Sequence, residues 1–142
     1  MQIDRQDVRA LEFDFLVVDR DGHVGMFASN GYGEIPSTAL RSESQDQLPD
    51  IEAMLISQLP IIGAARPDGK GPGDCQEWTA LGARGVFVFD WNRVQECYER
   101  VIVPSKAVNR HELRAEAQNA VAEELQICFL EEQKPQAARK RV

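Results

Sequence analysis

Residues 13–36, Phe13-Asp-Phe-Leu-Val-Val-Asp-Arg-Asp-Gly-His-Val-Gly-Met-Phe-Ala-Ser-Asn-Gly-Tyr-Gly-Glu-Ile-Pro36, limit the fold more than any other stretch of the chain. Two apolar runs flank Asp19-Arg20-Asp21-Gly22, and Asp-Gly between such runs is the strongest short-range signal for a β-hairpin. Asp19 suits the first position of a type I turn and Gly22 the last, where a missing Cβ permits positive φ. That turn pairs Val18 with Val24 and Leu16 with Met26. One face of the ribbon then reads Leu16, Val18, Val24, Met26, all apolar, and should cover a core.

Downstream, Asn30 to Pro36 reads as a loop, and Ser37–Gln47 as a polar connection with at most a helical turn. Leu48, Ile51, Met54, Leu55 and Leu59 recur at helical spacing, with Pro60 ending that helix. Residues 65–73, rich in Gly and Pro, read as an exposed mobile loop. Asp74 and Glu77 form a capping box for a short helix that ends at Gly82. Val86–Asp90 is a strand of β-branched and aromatic residues, Trp91-Asn92-Arg93 turns the chain, and Cys97–Val103 returns, stopped by Pro104.

Asn109 and Glu112 make a second capping box with Val108 and Leu113 at the staple positions, and the helix they start runs through Ala117, Ala120 and Val121. Leu125–Phe129 is either its continuation or a last strand; Ile127, Cys128 and Phe129 favour the strand. The expected fold is α+β: an antiparallel sheet of four or five strands with two or three helices packed mainly on one face. Residues 1–133 form one domain, and residues 134–142 a basic, disordered tail.

Charge is unevenly spread. The chain carries −7 overall, but four of its 16 basic residues lie in that tail, leaving 12 against 23 acids in the first 133 residues, a net −11. An acidic body repels nucleic acid and favours a basic partner. Hydrophobic content of 43% and charged content of 27% suit a soluble globular protein. No apolar run is long enough to span a membrane, and none is expected to engage one. Asp4 and Asp7 occupy positions that a secretory signal would make positive. Cys75, Cys97 and Cys128 form no Cys-x-x-Cys pair and read as reduced thiols, so a cytoplasmic location is expected.

Motifs that would announce a chemistry are weak. Val17-Val18-Asp19-Arg20-Asp21-Gly22 resembles the first motif of haloacid-dehalogenase-type phosphotransferases. The resemblance implies Asp19 as nucleophile and Asp21 as acid/base beside Mg²⁺. It stops after six residues: His23 stands where that family has Thr or Val, a second strand follows at once, and no Asp-Asp pair comes later. An EF-hand fails on spacing, because Val24 sits where the loop needs Gly. The Asp68–Asp74 loop lacks the Ser or Thr that a phosphate loop places after Lys70. His23, beside two aspartates, could titrate near neutrality or ligate a metal, and His111 reads as solvated. No cofactor, metal or catalytic residue is assigned.

Two segments taken together carry a further resemblance. Asp14-Phe-Leu-Val-Val-Asp-x-Asp-Gly-His-Val-Gly-x-Phe-x-Ser-x-Gly-x-Gly-x-Ile-Pro36 in register, followed by Gly85–Asp90 and Tyr98-Glu-Arg-x-x-x-Pro104, resembles a group of small uncharacterised bacterial proteins. Some of these look like immunity proteins of polymorphic toxin systems. The resemblance implies a non-enzymatic protein-binding module that neutralises a basic toxin domain by binding it. Partner contacts are expected at Asp19, Asp21, His23, Tyr32, Glu34 and Trp91, since aromatic and charged side chains at loop tips dominate such interfaces. The alternatives are the Mg²⁺-dependent phosphotransferase using Asp19 and Asp21, and a small-ligand sensor.

Overall fold

Strand β1 (Asp14–Val18) and strand β2 (Val24–Ala28) form the expected hairpin. In the computed structural model, which describes residues 13–40, 50–68 and 75–135, Leu16 pairs with Met26 and Val18 with Val24. Gly22 has φ +85, and its N–H donates to Asp19 O at 3.1 Å, closing the turn. A second hairpin joins β4 (Phe87–Asn92) to β5 (Cys97–Pro104). The two hairpins lie side by side through a parallel β2–β4 pairing, with Met26 opposite Val88.

Two short strands complete the edges. Strand β3 (Ala65–Pro67) runs antiparallel to β5, and β6 (Val121–Glu124) runs parallel to β1. The six-stranded order is β3-β5-β4-β2-β1-β6. The fold is α+β as expected, but the sheet has six strands and is mixed rather than antiparallel. Turn chemistry dictates direction only within a hairpin; how two hairpins dock is decided by packing, which local sequence does not encode.

Helix α1 (Ile51–Gln58) is capped by Asp50, whose side chain accepts from Ala53 N. Helices α2 (Gln76–Ala83) and α3 (Ala115–Asn119) follow. All three face the same side of the sheet. There Ile51, Met54, Leu55, Leu81 and Ala117 pack on Leu16, Val18, Val24, Met26, Val88 and Ile102. Val108 and Leu113, the staple residues, are buried in the same core.

The opposite face carries no α-helix among the described residues. It is an aromatic layer of Phe15, Phe27, Phe87, Phe89, Trp91 and Tyr98, closed by Ile35 and Phe129 from irregular segments. Phe89 stacks on Phe27 with ring centroids 4.5 Å apart, and the Phe129 ring lies tilted against Phe89 at 5.0 Å. Gly25 makes room: a Cβ there would come within 2.9 Å of the Phe129 ring. Both faces being covered, β1 and β2 are buried throughout apart from Asp14, the half-exposed first residue.

Several boundaries differ from expectation. Residues 65–67 of the expected mobile loop form edge strand β3, where Pro67 is tolerated because an edge strand can forgo a donor. The α2 helix ends at Ala83, and the left-handed conformation expected just past a helix end belongs to Gly85, φ +94; Gly82 sits inside the helix, a Cβ there meeting Ala65 at 2.4 Å. The N-cap of α2 is Cys75, and Asp74 lies outside the described residues. Trp91 and Asn92 belong to β4, and the turn falls at 93–96, with Glu96 at φ +52.

The Asn109–Glu112 capping box is present, but it opens a 3₁₀ turn, Arg110–Glu112, and not the α-helix. The last strand lies at 121–124 and not 125–129, because Val121-Ala-Glu-Glu124 meets the open edge of β1 whatever its own propensity. Residues 1–12, 41–49, 69–74 and 136–142, which include most of the basic tail, lie outside the described residues.

Candidate functional site

Strand directions divide the candidate residues between the two ends of the sheet. The turn at 19–23 lies at one end, and the 29–36 loop and 93–96 turn at the other, separated by five-residue strands that span roughly 17 Å. Asp19, Asp21 and His23 therefore share one end. Tyr32, Glu34 and Trp91 belong to the other.

At the first end Asp19 is 1% exposed, and its two oxygens are fully used. Oδ1 accepts from Asp21 N and His23 N, both at 2.9 Å. Oδ2 accepts from Phe129 N at 2.9 Å and lies 2.9 Å from His23 Nδ1. A buried carboxylate is tolerated when donors surround it in this way. The same carboxylate ties down the C-terminal segment, helped by Arg20 N donating to Ile127 O and by the buried Arg100, which donates to Phe129 O and Leu130 O.

The arrangement gives a phosphotransferase little to work with. Asp19 ends a strand whose outer neighbour, β6, is parallel, but its lone pairs hold backbone N–H groups where an attack on phosphorus would need one free. Asp21 is exposed, and His23 is half-buried against Phe87. Sequence reasoning passed over Cys128. It is buried, and its sulfur lies with ligand atoms of Asp19, Asp21 and His23 in a group spanning 4.8 Å.

At the far end, Trp91 is 9% exposed and packs edge-on against Tyr98 at 5.0 Å, a core role that leaves little for a partner. Tyr98 in turn donates to Glu34 O and fixes the 29–36 loop. Tyr32 is 52% exposed with the Arg93 guanidinium 3.9 Å over its ring, and Val94 is 93% exposed at the tip of the neighbouring turn.

Beside them, on the helix side, opens a cleft of about 460 Å³ lined by Asp14, Ala28, Asn30, Glu52, Cys75, Glu77, Trp78 and Asp90. Its four carboxylates come from two strands and from the first turns of α1 and α2. Asp14, Glu52 and Asp90 each make further interactions of their own. Asn30 Nδ2 donates to Asp90 Oδ1, linking the loop to the cleft. Burial pushes the Cys75 thiol up from its ordinary pKa, and the neighbouring Glu77 carboxylate adds to the rise, so the thiol stays protonated at neutral pH.

The cleft was not singled out from sequence. Its only signal was acids inside apolar strands, at Asp14 and Asp90, and acids in the first turns of two helices. No protein-family model, curated protein or solved structure matches this chain. Among the described residues no helix is long and apolar enough to cross a membrane.

Proposed function

We propose that this chain is a non-enzymatic protein-binding module of immunity type that takes a basic partner at the 29–36 end of its sheet. The observation that carries the reading is the convergence of Asp14, Glu52, Glu77 and Asp90 on one cleft, with Trp78 in its wall. Like charges held together in a concave site focus the field outward and raise the local concentration of cations. An Arg or Lys from the partner would be drawn to the concentration of negative charge, and Trp78 supplies an aromatic surface for a guanidinium. Tyr32 and Arg93, of residue types that interfaces favour, lie at the same end of the sheet with the exposed Val94 next to Arg93 in the chain. The acidic body supplies long-range attraction to the same partner.

The test is capture of the partner from native cells, using the full chain and a Glu52→Gln, Glu77→Gln, Asp90→Asn variant. The expected result is a basic protein retained by the wild type and lost by the variant. A control neutralising Glu131 and Glu132, away from the cleft, should retain it. An acidic partner, or equal capture by the cleft variant, would overturn the reading.

A further inference from the structure

The turn at the opposite end holds a group of side chains that the binding reading does not use. Asp19, Asp21, His23 and Cys128 each place a ligand atom within 4.8 Å of the others. Three features separate this group from a chance gathering of acids. First, Asp19 Oδ2 lies 2.9 Å from His23 Nδ1, so the ring is oriented by a buried carboxylate. Metal-binding histidines are held by carboxylates in this same way. Second, Cys128 is only 8% exposed, and its thiol has no hydrogen-bond partner among the described residues while lying within this group. Third, Asp21 is exposed at 52%, its Oδ2 3.9 Å from Arg20 Nε in a solvated pair that a bound cation can displace, while Phe129 N, bonded to Asp19, fixes the position of Cys128 beside it.

We infer that His23, Cys128 and Asp21 form a site for a borderline-soft divalent cation of the Zn²⁺ class, with Asp19 as the positioning residue for His23. A sulfur, an imidazole nitrogen and a carboxylate oxygen are the donors such ions take in tetrahedral sites, and a water would complete the set. Mg²⁺ and Ca²⁺ demand oxygen ligands and gain nothing from a thiol. On binding, the Cys128 thiol releases its proton to solvent and the sulfur becomes a thiolate ligand. The ion would join the hairpin turn to the C-terminal segment, which hydrogen bonds from Phe129 and Arg20 already connect. The site lies at the far end of the sheet from the acidic cleft, so neither proposal depends on the other.

The experiment uses the reduced full chain, stripped with chelator and titrated with Zn²⁺, Mg²⁺ or Co²⁺ alone. Zn²⁺ at saturation should raise Tm by about 4 °C or more through mass action on the folded state. Mg²⁺ should leave it unchanged. Co²⁺ should give thiolate-to-metal charge-transfer absorption that persists in a Cys75→Ser, Cys97→Ser variant and vanishes in Cys128→Ser. Asp21→Asn, at an exposed position, should fold normally and weaken Zn²⁺ binding about tenfold or more. If Cys128→Ser fails to fold, the absorption retained in the Cys75→Ser, Cys97→Ser variant and the Asp21→Asn affinity decide. No Tm response to Zn²⁺, an absorption band lost with Cys75 and Cys97, or an affinity unchanged by Asp21→Asn would each overturn the inference.

Discussion

The two ends of the sheet use the same side-chain chemistry in opposite circumstances. At the 19–23 turn, the carboxylate of Asp19 is buried and surrounded by three backbone N–H groups and an imidazole. At the 29–36 end, four carboxylates gather around an open cleft. A buried carboxylate saturated with donors stabilises the fold, because removing it strands every one of those donors. Carboxylates clustered beside solvent create a field that attracts an incoming cation. Location and donor supply, more than residue type, separate an architectural aspartate from one placed for recognition.

The comparison can be broken most forcefully from the architectural side. Phe129→Ala empties the centre of the aromatic layer and should cost about 3–5 kcal/mol, read as a fall in the urea midpoint. A small cost would mean that the 125–130 segment is not packed on the sheet. Asp19→Ala leaves the N–H groups of Asp21, His23 and Phe129 without their acceptor and should cost about 3 kcal/mol, lowering Tm by roughly 10 °C. A variant that melted like the wild type would remove the distinction between the two ends.

Smaller effects sharpen it. Gly22→Val should cost at least about 1 kcal/mol, because a β-branched residue resists φ +85 and its Cβ would approach Asn109 Nδ2 at 2.7 Å. An unchanged Tm would contradict the positive-φ assignment. Glu52→Gln and Glu77→Gln keep the length of the side chain and an acceptor oxygen, and lose the attraction of a carboxylate for a helix N-terminus. Each should therefore shift stability by less than about 1 kcal/mol in a thermal melt. A larger loss would mark these acids as structural.

Much of the fold was legible, and the reasons are local. Asp19 and Gly22 specified the hairpin and its register because a tight turn fixes both. Asn109 and Glu112 announced their capping box correctly, although the turn it opens is a single 3₁₀ turn and the α-helix starts only at Ala115. What escaped depends on long-range packing. Val121-Ala-Glu-Glu124 has poor strand composition and pairs because β1 offers an unfilled edge. Leu125–Phe129 reads as a strand yet serves to deliver Phe129 to the aromatic layer.

The site followed the same rule. Asp19, Asp21 and His23 were visible because five residues contain them. Cys128 reaches them across 105 residues of chain from His23 only through the C-terminal segment's hydrogen bonds. The cleft acids come from four separate elements, so no local spacing could gather them. Trp91, read as a loop-tip aromatic, is a core residue because β4 runs two residues further than its composition suggested, to Asn92.

The central claim is that the open end, and not the buried one, meets a basic partner. It is tested most directly by the association rate of the captured partner as ionic strength rises, for the wild type and for the Glu52→Gln, Glu77→Gln, Asp90→Asn variant. The account predicts a wild-type rate that falls about tenfold or more from low salt to well above physiological ionic strength, where screening confines the field to less than about 8 Å. The variant should associate more slowly at low salt and respond less to added salt. A wild-type rate indifferent to salt, or a variant that matches the wild type throughout, would contradict it.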